Sequence, residues 1–130
     1  MLDVGGPYKP SRLVWRGLPQ GSVLSPLLYN IYTYDLEGSV GDSASLLQYA
    51  DDLVIYASDM SVSTAERDVS SSLSLLKIWM DANGLDLSPS KSTVVLFTKS
   101  RTPCSLNITY DGDILPIRNQ VKFLGAILDS

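Results

Sequence analysis

Asp51 and Asp52 stand side by side between two short apolar runs, Leu46 to Ala50 and Leu53 to Ala57. Runs of that length predict strands, and a pair of turn residues between them predicts a tight hairpin with acid at its tip. Such a tip presents carboxylates at a sheet edge, where a divalent cation and phosphate oxygens could reach them. Aspartate is also a common turn residue, so a hairpin turn with no chemistry is the plain alternative. Three features weigh against that alternative. The flanking runs are long enough to be interior strands, which puts the acids on a rigid support. No lysine or arginine lies between Arg16 and Arg67, so an external cation is the natural partner of the pair. Finally, Leu18-Pro19-Gln20-Gly21-Ser22 is an unusual turn placed directly before an expected helix. Its amide donors, its glycine and the Gln20 side-chain amide could face a nucleotide or a nucleic acid, although a simple loop into a helix has the same composition.

Other chemistries are closed by composition. The 130 residues contain no histidine, which excludes Ser-His-Asp catalysis, a histidine base and imidazole-bound metals. The one cysteine, Cys104, cannot form an internal disulfide or a CxxC knuckle, and it reads as a small residue in a reducing compartment. Apolar residues at 45% and charged residues at 18% are ordinary for a globular chain, and the length suits one domain or part of a larger one. No apolar run approaches the roughly eighteen residues a membrane helix needs, so a soluble, intracellular protein is expected. The net charge of −4 argues against a free-standing nucleic-acid binder. The anionic character is concentrated in the middle, where Asp35, Glu37, Asp42, Asp51, Asp52, Asp59 and Glu66 follow one another without a cation.

The elements that would position the acids are legible in outline. Ser25-Pro26 predicts a helix start, with serine as cap and proline in the first turn, and Leu27, Leu28, Ile31, Tyr32 and Leu36 follow at helical spacing up to a stop at Gly38. Ser63 to Glu66 has capping-box spacing, and Ala65, Val69, Leu73, Leu76 and Met80 predict a helix from about 64 to 83 that ends at Gly84. The run Ser70-Ser71-Ser72 falls on the expected wet side of that helix. Strands are expected at Leu13 to Trp15, Thr93 to Thr98, Leu106 to Tyr110, Ile114 to Ile117 and Val121 to Leu128, with a turn at Asp111-Gly112-Asp113. The order predicts an α+β architecture, an antiparallel sheet with helices packed on one face.

The stretch from Arg16 to Asn30, with Pro19-Gln20-Gly21 and Ser25-Pro26-Leu27-Leu28-Tyr29 inside it, followed by Tyr49-Ala50-Asp51-Asp52, resembles the palm of reverse transcriptases, in particular the non-LTR (LINE-like) retrotransposon branch. Ala82-Asn83-Gly84-Leu85 with Lys91 is similar to the next motif of that family, and Phe123-Leu124-Gly125 resembles its primer grip. The resemblance implies an RNA-directed DNA polymerase acting on an RNA template, a DNA primer and deoxynucleotides, with two magnesium ions, or manganese in their place. It implies that Asp51 is the leading catalytic metal ligand and Asp52 its supporting neighbour, since successive strand residues point to opposite faces. Tyr49 and Ala50 would lie by the primer end, and Pro19, Gln20 and Gly21 by the template and nascent base pair. Lys91 would steady or protonate the leaving pyrophosphate, or else be a solvated lysine before a strand. Phe123, Leu124 and Gly125 would touch the primer, with simple core as the alternative for Phe123. A retrotransposon product of this kind would work in the nucleus or cytoplasm.

The departures from the pattern are specific. Nothing in Met1 to Arg16 resembles the strand that carries the family's first catalytic aspartate, and the position three residues before Lys91, often asparagine, is Ser88. The chain therefore reads as a partial reverse transcriptase domain, residues 1–130, without fingers, first-aspartate strand or thumb, and inactive by itself. The other reading is a non-catalytic binding or structural domain derived from a polymerase palm.

Overall fold

The longest helical period in the sequence forms the longest helix. In the computed structural model, which describes residues 17–18, 21–100 and 104–129, helix α3 runs Val62–Asn83. Leu73, Leu76 and Met80 are buried on the predicted face, joined by Trp79. Gly84 ends the helix at φ +66°. Its N–H bonds the Asp81 carbonyl at 3.3 Å and the Leu85 N–H bonds the Met80 carbonyl at 3.0 Å, the paired closure that a left-handed glycine allows. The start differs from the capping box expected at Ser63 and Glu66. Ser61 is the N-cap, its N–H held by the Asp59 carboxylate at 2.7 Å. Glu66 is drawn away to accept the Asn107 N–H at 2.6 Å. Nor does the whole serine run face water, because Ser72 is fully buried.

The helix expected from 26 to 37 is two helices. α1 spans Ser25–Tyr32, with Leu24 rather than Ser25 at its N-cap and Pro26 in its first turn. Thr33 interrupts it. Both the Thr33 N–H and its hydroxyl donate to the Tyr29 carbonyl at 3.0 Å, a side-chain bond of the kind that competes with helix continuation. One further turn, α2 (Leu36–Ser39), follows, so Gly38 lies inside a helix instead of ending one. Leu36 and the following C-cap residue Val40, each 1% exposed, enter the core, each stabilising by roughly 1.5 to 3 kcal/mol when removed from water.

The strands pair as three separate antiparallel ribbons: β1 (Ser45–Tyr49) with β2 (Asp52–Tyr56), β3 (Thr109–Tyr110) with β4 (Asp113–Ile114), and β5 (Gln120–Phe123) with β6 (Ala126–Asp129). The α+β class is as expected, with short ribbons in place of one broad sheet among the described residues. Asp111-Gly112 turns the second ribbon with φ of +52° and +85°, the mirror-image geometry that suits strand twist. Leu124-Gly125 does the same for the third at +49° and +83°. The single strand expected from Val121 to Leu128 is therefore a hairpin. Thr93 to Thr98 forms no strand; Val94 alone bridges in parallel to Ile117. Pro116 lacks a ladder donor and stops the run expected from Ile114 to Ile117. The strand expected at Leu13 to Trp15 lies outside the described residues.

The core gathers Leu36, Val40, Leu46, Leu73, Leu76, Trp79, Met80, Ile108, Tyr110 and Leu115, so α2, α3 and the first two ribbons share one interior. Helix α1 contributes no buried residue. Among the described residues, no helix is long and apolar enough to cross a membrane.

Candidate active site at the hairpin tip

The β1–β2 register pairs Leu46 with Ile55, Leu47 with Val54, Gln48 with Leu53 and Tyr49 with Asp52. Two residues remain for the turn, and they are Ala50 and Asp51, not the acid pair. Asp52 begins β2, so the two carboxylates occupy different positions, one in the turn and one on the strand. Ala50 takes φ +52°, a left-handed conformation that costs an L-residue on the order of 1 to 2 kcal/mol. Something else must hold it there.

Gln48 supplies part of that hold. Alternation along β1 sends Leu46 into the core and leaves Leu47 and Tyr49 exposed, so Gln48 is half-buried on the inner side. Its side-chain amide donates to the Thr33 hydroxyl at 2.8 Å and to the Ala50 carbonyl at 3.3 Å. Thr33 is itself buried, and its hydroxyl is anchored on Tyr29 in α1. A shallow cleft of about 370 Å³ opens beside this chain of bonds, lined among others by Asn30, Tyr34, Glu37, Leu47 and Ala50. Tyr29 also registers the acid: burial and then the Asp51 carboxylate push its phenol above the ordinary value. The end of α1 and the acidic tip are thus electrostatic neighbours.

Asp51 and Asp52 are exposed. Among the described residues no lysine or arginine forms an ion pair with either, and no third acidic, histidine or cysteine side chain completes a cluster able to hold a metal alone. Two adjacent free carboxylates with water access nevertheless fit magnesium, which is commonly held by one or two carboxylates plus substrate phosphates.

The remaining expected residues are scattered. Pro19 and Gln20 lie outside the described residues, while Gly21 is exposed with φ +83°. Tyr49, Ala50, Asp51 and Asp52 come together at one tip. Lys91 is exposed at the end of a 3-10 turn, Pro89–Lys91. Phe123, Leu124 and Gly125 form the tip of the third ribbon, which pairs with neither of the others. Phe123 is half-buried there and outside the main core. Among the described residues no ion pair joins Lys91 or this second tip to the acidic one. Sequence reasoning gives no role to Gln48 or Thr33, and names Tyr29 only as part of a motif. The available signal was a lone amide at an inward position of an otherwise apolar strand.

A tight hairpin with acid in its turn, held against the end of the helix that follows the Pro-Gln-Gly segment, is the arrangement of a polymerase palm. The chain belongs to the reverse transcriptase (RNA-dependent DNA polymerase) family, whose model matches residues 4–128. It is 35% identical over 99% of its length to the probable RNA-directed DNA polymerase from transposon BS of Drosophila melanogaster, of which it spans 15%. It is 28% identical over 91% of its length to the RNA-directed DNA polymerase from mobile element jockey of Drosophila funebris, of which it spans 13%. A third relative, the probable RNA-directed DNA polymerase from transposon X-element of Drosophila melanogaster, is 32% identical over 87% of the chain and is covered over 13%. These relatives agree with the retrotransposon resemblance carried by the motifs. No solved structure matches the chain.

Proposed function

We propose that this chain is the acid-bearing palm segment of an RNA-directed DNA polymerase of the non-LTR retrotransposon kind, extending a DNA primer on an RNA template. The observation that carries the reading is the Tyr49-Ala50-Asp51-Asp52 hairpin tip, with two exposed carboxylates that no lysine or arginine among the described residues pairs with. Asp51, in the turn, is the foremost ligand for divalent metal, and Asp52, on the strand, supports it. Magnesium, when bound, supplies Lewis-acid stabilisation of the charge on the phosphate oxygens and leaving group. The chain's own residues do the placing. Tyr49 is 62% exposed and offers a ring beside the primer end. Gly21 and Gln20 leave room for the nascent base pair, Lys91 faces the pyrophosphate, and Phe123 to Gly125 hold the primer strand. These roles require the rest of a polymerase, since the chain spans only a small part of each relative.

The test is primer extension on an RNA template with magnesium. The 130-residue chain alone should give no product, and a longer polypeptide that adds an upstream aspartate strand, fingers and thumb should extend the primer. In that polypeptide Asp51→Asn should abolish extension and Asp52→Asn should reduce it. Extension that survives Asp51→Asn would remove Asp51 from the mechanism, and extension by the short chain would refute its dependence on the missing parts.

A further inference from the structure

Beyond the ligands themselves, we propose that Gln48 is a positioning residue that locks the acidic tip to the end of α1 through Thr33. This rests on the metal-binding reading above and adds to it a residue that touches neither metal nor substrate. The Ala50 carbonyl belongs to the Ala50–Asp51 peptide, so a donor on that oxygen fixes the plane from which the Asp51 side chain springs. Gln48 provides this donor at 3.3 Å. Its second amide proton goes to Thr33 at 2.8 Å, which uses both donors of the NH₂ group.

Thr33 is suited to be the anchor. Its hydroxyl donates to the Tyr29 carbonyl and accepts from Gln48, so its hydrogen-bonding capacity is matched on both sides in a site where it is only 4% exposed. In this part-buried network the buried member is Thr33, and removing the Gln48 amide takes away the donor to its hydroxyl. Ala50 sits at φ +52°, so its carbonyl is the point at which a donor steadies the turn. Supports of this type around metal ligands change metal affinity by about ten- to a hundredfold when removed.

Amide hydrogen exchange and Mn²⁺ binding by the 130-residue chain test the proposal, using Gln48→Leu, Thr33→Val, the double variant and Thr33→Ser. The Asp52 amide, in the pair that closes the turn, should exchange about tenfold faster in Gln48→Leu and in Thr33→Val. The double variant should exchange no faster than either single one, and Thr33→Ser should behave as the parent chain. Mn²⁺ affinity should fall about tenfold in the same variants. Unchanged Asp52 exchange in Gln48→Leu overturns the proposal. So does an acceleration shared equally by Leu46 and Ile55, which would mean that the glutamine supports the ribbon and not its tip. If the parent chain bound no Mn²⁺ while the exchange pattern held, the metal-binding reading would fail and the lock would stand.

Discussion

The indole N–H of Trp79 donates to the Asp35 carboxylate at 3.2 Å, tying the elbow between α1 and α2 to the C-terminal part of α3. Trp79 is 9% exposed, so removal of its acceptor leaves a largely desolvated donor. Asp35→Ala should destabilise the chain by about 1 to 2 kcal/mol, and Asp35→Asn, which keeps an oxygen in place, by much less. Urea midpoints of the three proteins measure the difference. Equal losses in both variants would assign the effect to charge and not to the hydrogen bond.

Ser72 is fully buried in α3 and its hydroxyl has no hydrogen-bond partner among the described residues. Ser72→Ala removes an unsatisfied polar atom and introduces a better helix former. It should stabilise by roughly 1 kcal/mol, read as a higher melting temperature. A lower one would show that the hydroxyl does have a partner in solution.

What the sequence disclosed, and what it hid, divides along physical lines. Local signals worked where a single residue type decides the backbone: Gly84 ended α3, and Asp111-Gly112 turned the second ribbon. They failed where a side chain had a distant option. Glu66 suited a capping box but finds Asn107, 41 residues away. Thr33 lies within an apolar period, and its hydroxyl bonds back to Tyr29 at the point where α1 ends. At the candidate site, the acids and Tyr49 were legible because they form a local string. The displacement of the turn to Ala50-Asp51 depends on register, and the Gln48–Thr33 bond spans 15 residues. No periodicity announces either.

Alkaline pH should loosen the fold. Burial pushes the Tyr110 phenol up against the opposing pull of the Lys77 ammonium, and burial followed by Asp51 pushes Tyr29 up as well. A phenol whose folded pKa is raised binds its proton more tightly in the native state, so its contribution is complete below the unfolded value and lost as pH rises through the folded one. Stability measured between about pH 9 and pH 11.5 should therefore fall. The fall should be shallower in the double variant Tyr29→Phe, Tyr110→Phe. A part of the slope should remain, because the Lys77 ammonium is also raised, chiefly by its hydrogen bond to Asp81. An identical slope in the parent and the double variant would acquit both tyrosines.

Helix α1 leaves Leu27 57% and Ile31 63% exposed, one turn apart on the same face, with Val23 at 94% beside them. Exposed apolar area of this kind costs free energy in water at about 25 cal/mol per Å² and favours contact with any similar surface. The isolated chain should therefore self-associate at micromolar concentrations, as seen by sedimentation velocity. Leu27→Gln with Ile31→Gln should shift it toward monomer while changing the unfolding free energy by less than about 0.5 kcal/mol, since neither side chain is buried. Loss of stability comparable to that of a core substitution would mean that α1 packs more deeply in solution than its exposure indicates.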